Sequence, residues 1–340
     1  MKNLWNRVFI AFAGIILLAS CHPPTTSGKA DANALTETPE LKKISDKIAD
    51  DPKDAALYYD RGNLLHKLQK DTLAIKDYKK AIALDSSKAE YYSAVGNLMF
   101  DHKDITGSLP YIQKAIALNP NDPRARIKVA KMFVFIKEYD KAFAELNTVL
   151  RQNVHDPEPY YLKGLIYRDL KDTAHALSSF LTSVQEGPEF RESYVQLGQL
   201  YSTKHDPIAL KYFKDAFRLD TTDLFPLYAT GMYYQEKNEY EQAKEEYRDC
   251  IIRDNQYAKA FMAIGYILVQ QDSFAKAWRQ YNTVTQIEPN SAIAYYSRGL
   301  CSELMKKNED AINDYKQALV FNSKYTDAQE GLKRLGAQQK

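Results

Sequence analysis

Apolar and small residues return along this chain at a fixed interval. Gly stands at 62, 96, 164, 198, 231, 265 and 299, with Ala130 filling the gap, at 34-residue steps except for 33 between Gly198 and Gly231. Twelve places after each comes a small residue: Ala74, Ser108, Ala142, Ala176, Ala243, Ala277 and Ala311. Ala209 arrives one place early, which places the missing residue in the turn Ser202–Pro207. Four further on stands a large apolar residue: Tyr78, Ile112, Leu146, Phe180, Phe213, Tyr247, Tyr281 and Tyr315. Repetition at this period predicts a two-helix unit whose apolar face is buried by its neighbours. In each unit the Gly of the first helix, A, and the small residue of the second, B, let two backbones approach. The large residues fill gaps between neighbouring hairpins.

The pattern resembles the tetratricopeptide repeat (TPR) and covers 55–323. The resemblance implies an all-α, right-handed α-solenoid of about eight helix-turn-helix repeats with end-capping helices. Residues 39–54 predict an N-terminal capping helix, with Leu41, Ile44 and Ile48 on one face. Residues 324–340 predict a C-terminal capping helix and tail, with Ala328, Leu332 and Leu335 inward and Gln338 to Lys340 frayed. The 25 Tyr are mostly architectural. Tyr58, Tyr92, Tyr160, Tyr194 and Tyr295 recur near the start of helix A, where a phenol can bury its ring and keep its hydroxyl at a polar edge. Arg126 replaces that large residue in the third repeat, and Pro110 falls early in a B helix. Both predict a locally irregular stack.

The N-terminus departs from the repeat. Lys2 and Arg7 precede an apolar stretch, Val8 to Ala19, of signal-peptide length. It ends Leu18-Ala19-Ser20-Cys21, which resembles the bacterial lipobox. That resemblance implies a signal peptide over 1–21 and a lipid on Cys21, in a Gram-negative bacterium such as one of the Bacteroidota. Residues 22–38, rich in Pro, Thr, Ser and Ala, predict a flexible tether. His22, rather than Asp, after the Cys favours the outer membrane, facing the periplasm, by the family sorting rule. The charge of the whole chain is +2, and losing Lys2 and Arg7 brings it to balance. A near-neutral body offers no broad field for nucleic acid.

Candidate chemistry is sparse. The His residues at 22, 66, 102, 155, 175 and 205 have no neighbour at metal-ligand spacing. Cys250 and Cys301 occupy packed positions in non-adjacent repeats and are expected to be buried, inert thiols. No phosphate loop, nucleophile elbow or paired-acid motif occurs. The expectation is a non-enzyme without cofactor, metal, small-molecule substrate or nucleic-acid partner, which binds other proteins and meets the membrane through Cys21.

The TPR resemblance implies a concave groove lined by helix A. In repeats 1–3 it would present Tyr59, Asn63, Asn97, Arg124, Lys128 and Lys131. This partly resembles the carboxylate clamp of some TPR co-chaperones. Asn63, Arg124 and Lys128 match it, whereas Tyr59 and Ala94 replace a Lys and an Asn. A looser anion pocket and a merely solvated groove stay open. In repeats 3–8 the lining would be apolar: Phe135, Tyr161, Leu165, Phe225, Tyr228, Met232, Met262, Tyr266, Val269, Tyr296, Leu300 and Leu304. Such clusters mark binding surfaces unless neighbouring hairpins or the end helix cover them. The sequence supports a scaffold or adaptor of an envelope assembly, with a periplasmic chaperone or carrier for secreted or outer-membrane clients as the alternative.

Overall fold

The structure, a computed structural model, describes residues 38–337. The expected signal segment, Cys21, the tether as far as residue 37 and the last three residues lie outside the described residues. The described chain is helical: α1 (Pro39–Asp50), α2 (Ala55–Lys67), α3 (Asp71–Leu84), α4 (Ala89–Asp101), α5 (Ile105–Leu118), α6 (Pro123–Phe135), α7 (Tyr139–Gln152), α8 (Pro157–Asp169) and α9 (Thr173–Glu186). It continues with α10 (Arg191–Ser202), α11 (Ile208–Leu219), α12 (Phe225–Glu236), α13 (Tyr240–Arg253), α14 (Ala258–Gln270), α15 (Phe274–Ile287), α16 (Ala292–Leu304), α17 (Asn308–Phe321) and α18 (Thr326–Arg334). Even-numbered helices from α2 to α16 are the A helices, and each following odd-numbered helix is its B. The fold is an all-α solenoid of TPR-type helix pairs. The chain divides after Asp77 into two compact units.

In the first unit, α1 packs on α2 through buried Leu41 and Ile48. Arg61 of α2 makes two hydrogen bonds to Asp77, at 2.6 and 2.9 Å. The second unit carries the hairpins from α4 to α17 and then α18.

Helix boundaries follow local chemistry. Asp104, Asp122, Asp156 and Asp172 accept backbone N–H groups at the starts of α5, α6, α8 and α9. Pro123 and Pro157 occupy the first helical position, where no N–H is needed. Every A–B turn contains one residue in the left-handed region: Gln69, Lys103, Lys137, Lys171, His205, Asn238, Asp272 and Lys306, with φ between 53° and 67°. None is Gly, so the turns lack the punctuation that would have announced them.

The close approach inside a hairpin has a specific form. A Cβ on Gly164 would lie 2.5 Å from Cε1 of Phe180, and one on Gly231 would lie 2.5 Å from Cε1 of Tyr247. The large residue of helix B thus lies against the glycine of its own A helix and, as the sequence pattern predicts, also reaches the next hairpin: Phe180 packs with Leu197 of α10, and Tyr247 with Ile264 of α14. Tyr315 likewise touches Gly299 and also Gly331 of α18.

The short repeat also differs from expectation. Residues 203–207 connect α10 to α11, where three residues suffice in the preceding hairpin. The missing residue comes from the helix ends, since α10 and α11 each have 12 residues, while α8 has 13 and α9 has 14.

Neither expected irregularity disrupts the stack. α5 runs unbroken through Pro110, and Pro110 and Thr106, whose carbonyl loses its donor, are both exposed. Arg126 donates from Nε and Nη2 to the carbonyl of Pro120, at 3.0 and 2.9 Å. The hydroxyl of Tyr194 donates to the carbonyl of Pro188 at 3.1 Å, and that of Tyr58 to Pro52 at 3.2 Å. The guanidinium therefore does at its repeat position what a phenol does elsewhere.

Candidate partner-binding face

The A helices of repeats 6 and 7 carry a half-buried apolar strip. Phe225, Tyr228 and Met232 project from α12, and Met262 and Tyr266 from α14, all half-buried. Tyr228, Met232 and Tyr266 rest on a core that includes Tyr247, Cys250 and Ile264. Phe225 rests on Phe213 and Tyr233, and Met262 on Val284 and Ala294. The Tyr228 ring lies 5.4 Å from that of Tyr247 and edge-on to Tyr257 at 5.9 Å. Burial pushes the Tyr228 hydroxyl up to about 12, so it stays a neutral donor at physiological pH. These side chains have one flank in the core and one flank open, a geometry suited to contact without reorganisation.

Tyr161 of α8 is likewise half-buried, between Phe180 at 5.9 Å and Phe190 at 5.3 Å. Leu165 sits one turn along, also half-buried. Phe135 differs in being 68% exposed at the end of α6.

Repeat 8 does not contribute as its sequence suggested. Tyr296 is 4% exposed, and Leu300 and, in repeat 7, Val269 are also buried. The physical reason is the covering of repeat 8 by the following chain. Tyr325 packs edge-on against Tyr296 at 5.1 Å, and Arg334 of α18 makes two hydrogen bonds to Glu303, at 3.0 and 2.9 Å. Leu304 stays half-buried.

The basic zone is smaller than the sequence proposed. Arg124, Lys128 and Lys131 share one face of α6, but the Lys131 ammonium is 2.5 Å from Glu158 of the next A helix. Lys128 stands over the ring of Phe100 at 5.5 Å, and its pKa is lowered by burial, against the opposing charge of Asp101. Arg124 is exposed and Asn97 half-buried. Asn63 and Tyr59 belong to the first unit, where both are half-buried on α2. Sequence reasoning missed Arg168, which donates to the side-chain carbonyl of Gln196 and so joins α8 to α10.

Three histidines have single carboxylate partners: His66 with Asp71 at 2.7 Å, His155 with Glu186 at 2.6 Å and His175 with Asp172 at 2.7 Å. Among the described residues no group of three or more His, Cys, Asp or Glu could hold a metal ion. No helix of these residues is long and apolar enough to cross a membrane. Cys250 and Cys301 are buried free thiols, each pushed up to about 12 by burial, as expected of inert cysteines.

Comparison with known proteins agrees with this architecture. A solved C-terminal part of a TPR repeat-containing protein from Cytophaga hutchinsonii is 17% identical, with a TM-score of 0.56 over 70% of this chain and 98% of that one. A tetratricopeptide repeat protein from Parabacteroides merdae is 16% identical, with a TM-score of 0.53 over 74% of this chain and 99% of that one. Among curated relatives, a "DnaJ homolog subfamily C member 7 homolog" from Dictyostelium discoideum is 23% identical over 197 residues, which cover 51% of this chain. The match spans 35% of that relative's own length. At these identities the solved structures establish the fold. Residues 62–102 match a family described as TPR repeat, and 157–186 and 227–257 match one described as tetratricopeptide repeat, so the chain carries tetratricopeptide repeats.

Proposed function

We propose that this chain is a membrane-anchored scaffold of a cell-envelope assembly, held by a lipid on Cys21 at the outer membrane and facing the periplasm. Its A helices take up a segment of a partner protein. The observation that carries the reading is the half-open strip of Phe225, Tyr228, Met232, Met262 and Tyr266. Aromatic and Met side chains are enriched where proteins meet, and a contiguous set with one flank already fixed loses little entropy on binding. Tyr161 and the Arg124–Lys128 pair extend the same helix face with an aromatic and a basic contact.

A photo-crosslinking residue at Met262, in the native host, should capture a defined partner. The same residue at Lys214, an exposed position on α11, should capture far less. Equal capture at the two positions would overturn the strip as the site. Cys21→Ala should move the chain out of the membrane fraction, and retention there would overturn the anchor.

A further inference from the structure

The apolar strip of α12 ends on a carboxylate. Phe225, Tyr228, Met232 and Glu236 stand three, four and four residues apart, so they form one stripe from the first residue of the helix to its last. The three apolar side chains are half-buried, and Glu236 is exposed. The turn that precedes α11 lies beside this end of the helix, because the hydroxyl of Tyr233 donates to the carbonyl of His205 at 3.1 Å. Loss of hydration raises the pKa of Glu236, and His205 opposes the shift. A carboxylate that meets solvent and is still poorly hydrated lies in a concave place. Its charge is felt by Tyr247, the ring 5.4 Å from that of Tyr228, so it borders the strip.

The bases nearby in sequence are engaged elsewhere. Lys237 lies 3.6 Å from Glu239, and Lys244 lies 2.7 Å from Glu241. No lysine or arginine pairs with Glu236 among the described residues. At the same place in repeats 5, 7 and 8 stand Thr203, Gln270 and Leu304, so no other acid holds this position from repeat 5 to repeat 8. Lys259, exposed in the first turn of α14, stands at the opposite end of the strip, so the two ends differ in charge. We infer that the captured segment is basic as well as apolar: its apolar side chains lie on the strip, and an adjoining lysine or arginine pairs with Glu236. The inference rests on the strip being the binding site and adds the chemistry of what that site takes. A cation there replaces the hydration that the carboxylate has lost, where the pair is less screened than on an open surface. A segment with an acid or an apolar residue at that point would cover the carboxylate unpaired, at a cost.

The test pans a phage library of random peptides against the full-length chain carrying Cys21→Ser. Peptides that crosslink to a photo-reactive residue at Met262 are kept. They should carry a lysine or arginine beside an apolar run. One of them, made synthetically, should bind about fivefold more weakly when that base is replaced by norleucine. Glu236→Gln should weaken the parent peptide by the same factor, and the two changes together should cost no more than either alone. Additive losses, or kept peptides without a base, would overturn the inference and leave the strip as the site. A library that yields no peptide crosslinked at Met262 would overturn the strip and the inference together.

Discussion

Arg298 of α16 grips Asp314 of α17 through two hydrogen bonds, Nε to Oδ2 at 3.0 Å and Nη2 to Oδ1 at 2.6 Å. Arg61 and Asp77 make the same pair in repeat 1, also sixteen residues apart. In repeat 8 the guanidinium also donates to Asn282 and Thr285 of α15 and lies over the ring of Tyr295 at 5.2 Å. In repeat 1 it donates to Ser45 and lies over Tyr58 at 5.6 Å. The terminal repeats thus share a charged lock, which the intervening repeats replace with Val95, Val129, Lys163, Leu197, Thr230 and Ile264 at the arginine position.

Removing one partner should therefore be costly. Asp314→Ala strands a largely buried guanidinium and should destabilise the second unit by about 3 kcal/mol. Arg298→Met with Asp314→Leu should cost clearly less, because no charge is left unpaired. Urea unfolding measures both, and a double variant as unstable as Asp314→Ala alone would remove the argument.

The glycine contact makes an equally direct case. Gly164→Ala forces a methyl group into Phe180 and should destabilise by about 1–3 kcal/mol through overpacking. Phe180→Leu in the same chain should recover part of the loss, read as a higher melting temperature than that of Gly164→Ala.

The left-handed turns predict a gain. Lys306→Gly relieves the αL cost of a side chain but adds unfolded-state entropy, for a net stabilisation of about 0.5 kcal/mol. Asn238→Gly should instead cost about 0.5 kcal/mol, since Asn already tolerates this conformation and its side chain accepts a hydrogen bond from the hydroxyl of Tyr240 at 2.8 Å. Matched urea midpoints for Lys306→Gly and the parent chain would contradict this.

Alkaline pH should loosen the core. Burial raises Cys250 and Cys301 from 9.0, and Tyr228 from 10.0, to about 12. A raised folded pKa means that the native state favours the protonated form. That stability is complete below the unfolded value and is lost as pH rises from there toward 12. The melting temperature, followed by circular dichroism, should show no pH dependence from these groups below about pH 8 and fall above about pH 9. At pH 8 a thiol reagent should leave both cysteines unmodified until the chain unfolds.

The repeat was legible because packing imposes it on every unit. Gly, a small residue and a ring recur wherever two helices must touch, and each occurrence reinforces the signal. The terminal locks were not legible, because Arg61 and Arg298 occupy a position that varies between them. The left-handed turns were hidden because Lys, Gln, His and Asp stand where Gly would have marked them. Of the apolar strip, Met232 and Met262 are half-buried at register positions that the TPR resemblance, rather than the spacing itself, assigns to the groove. Tyr296 and Leu300 share that register, yet their exposure depends on α18, a covering that spacing within one repeat cannot reveal. Tyr228 is more deeply embedded than its register implied, so truncating it would disturb the core as well as any contact.

The short fifth repeat shows how the array tolerates errors of length. Phe213 still reaches Gly198, where a Cβ would lie 2.5 Å from its ring, although one residue fewer separates them than separates Phe180 from Gly164. Phase is restored by the ring finding its socket, not by counting residues. Natural or engineered insertions and deletions between a socket and its ring should therefore be absorbed at helix ends, leaving neighbouring repeats in step.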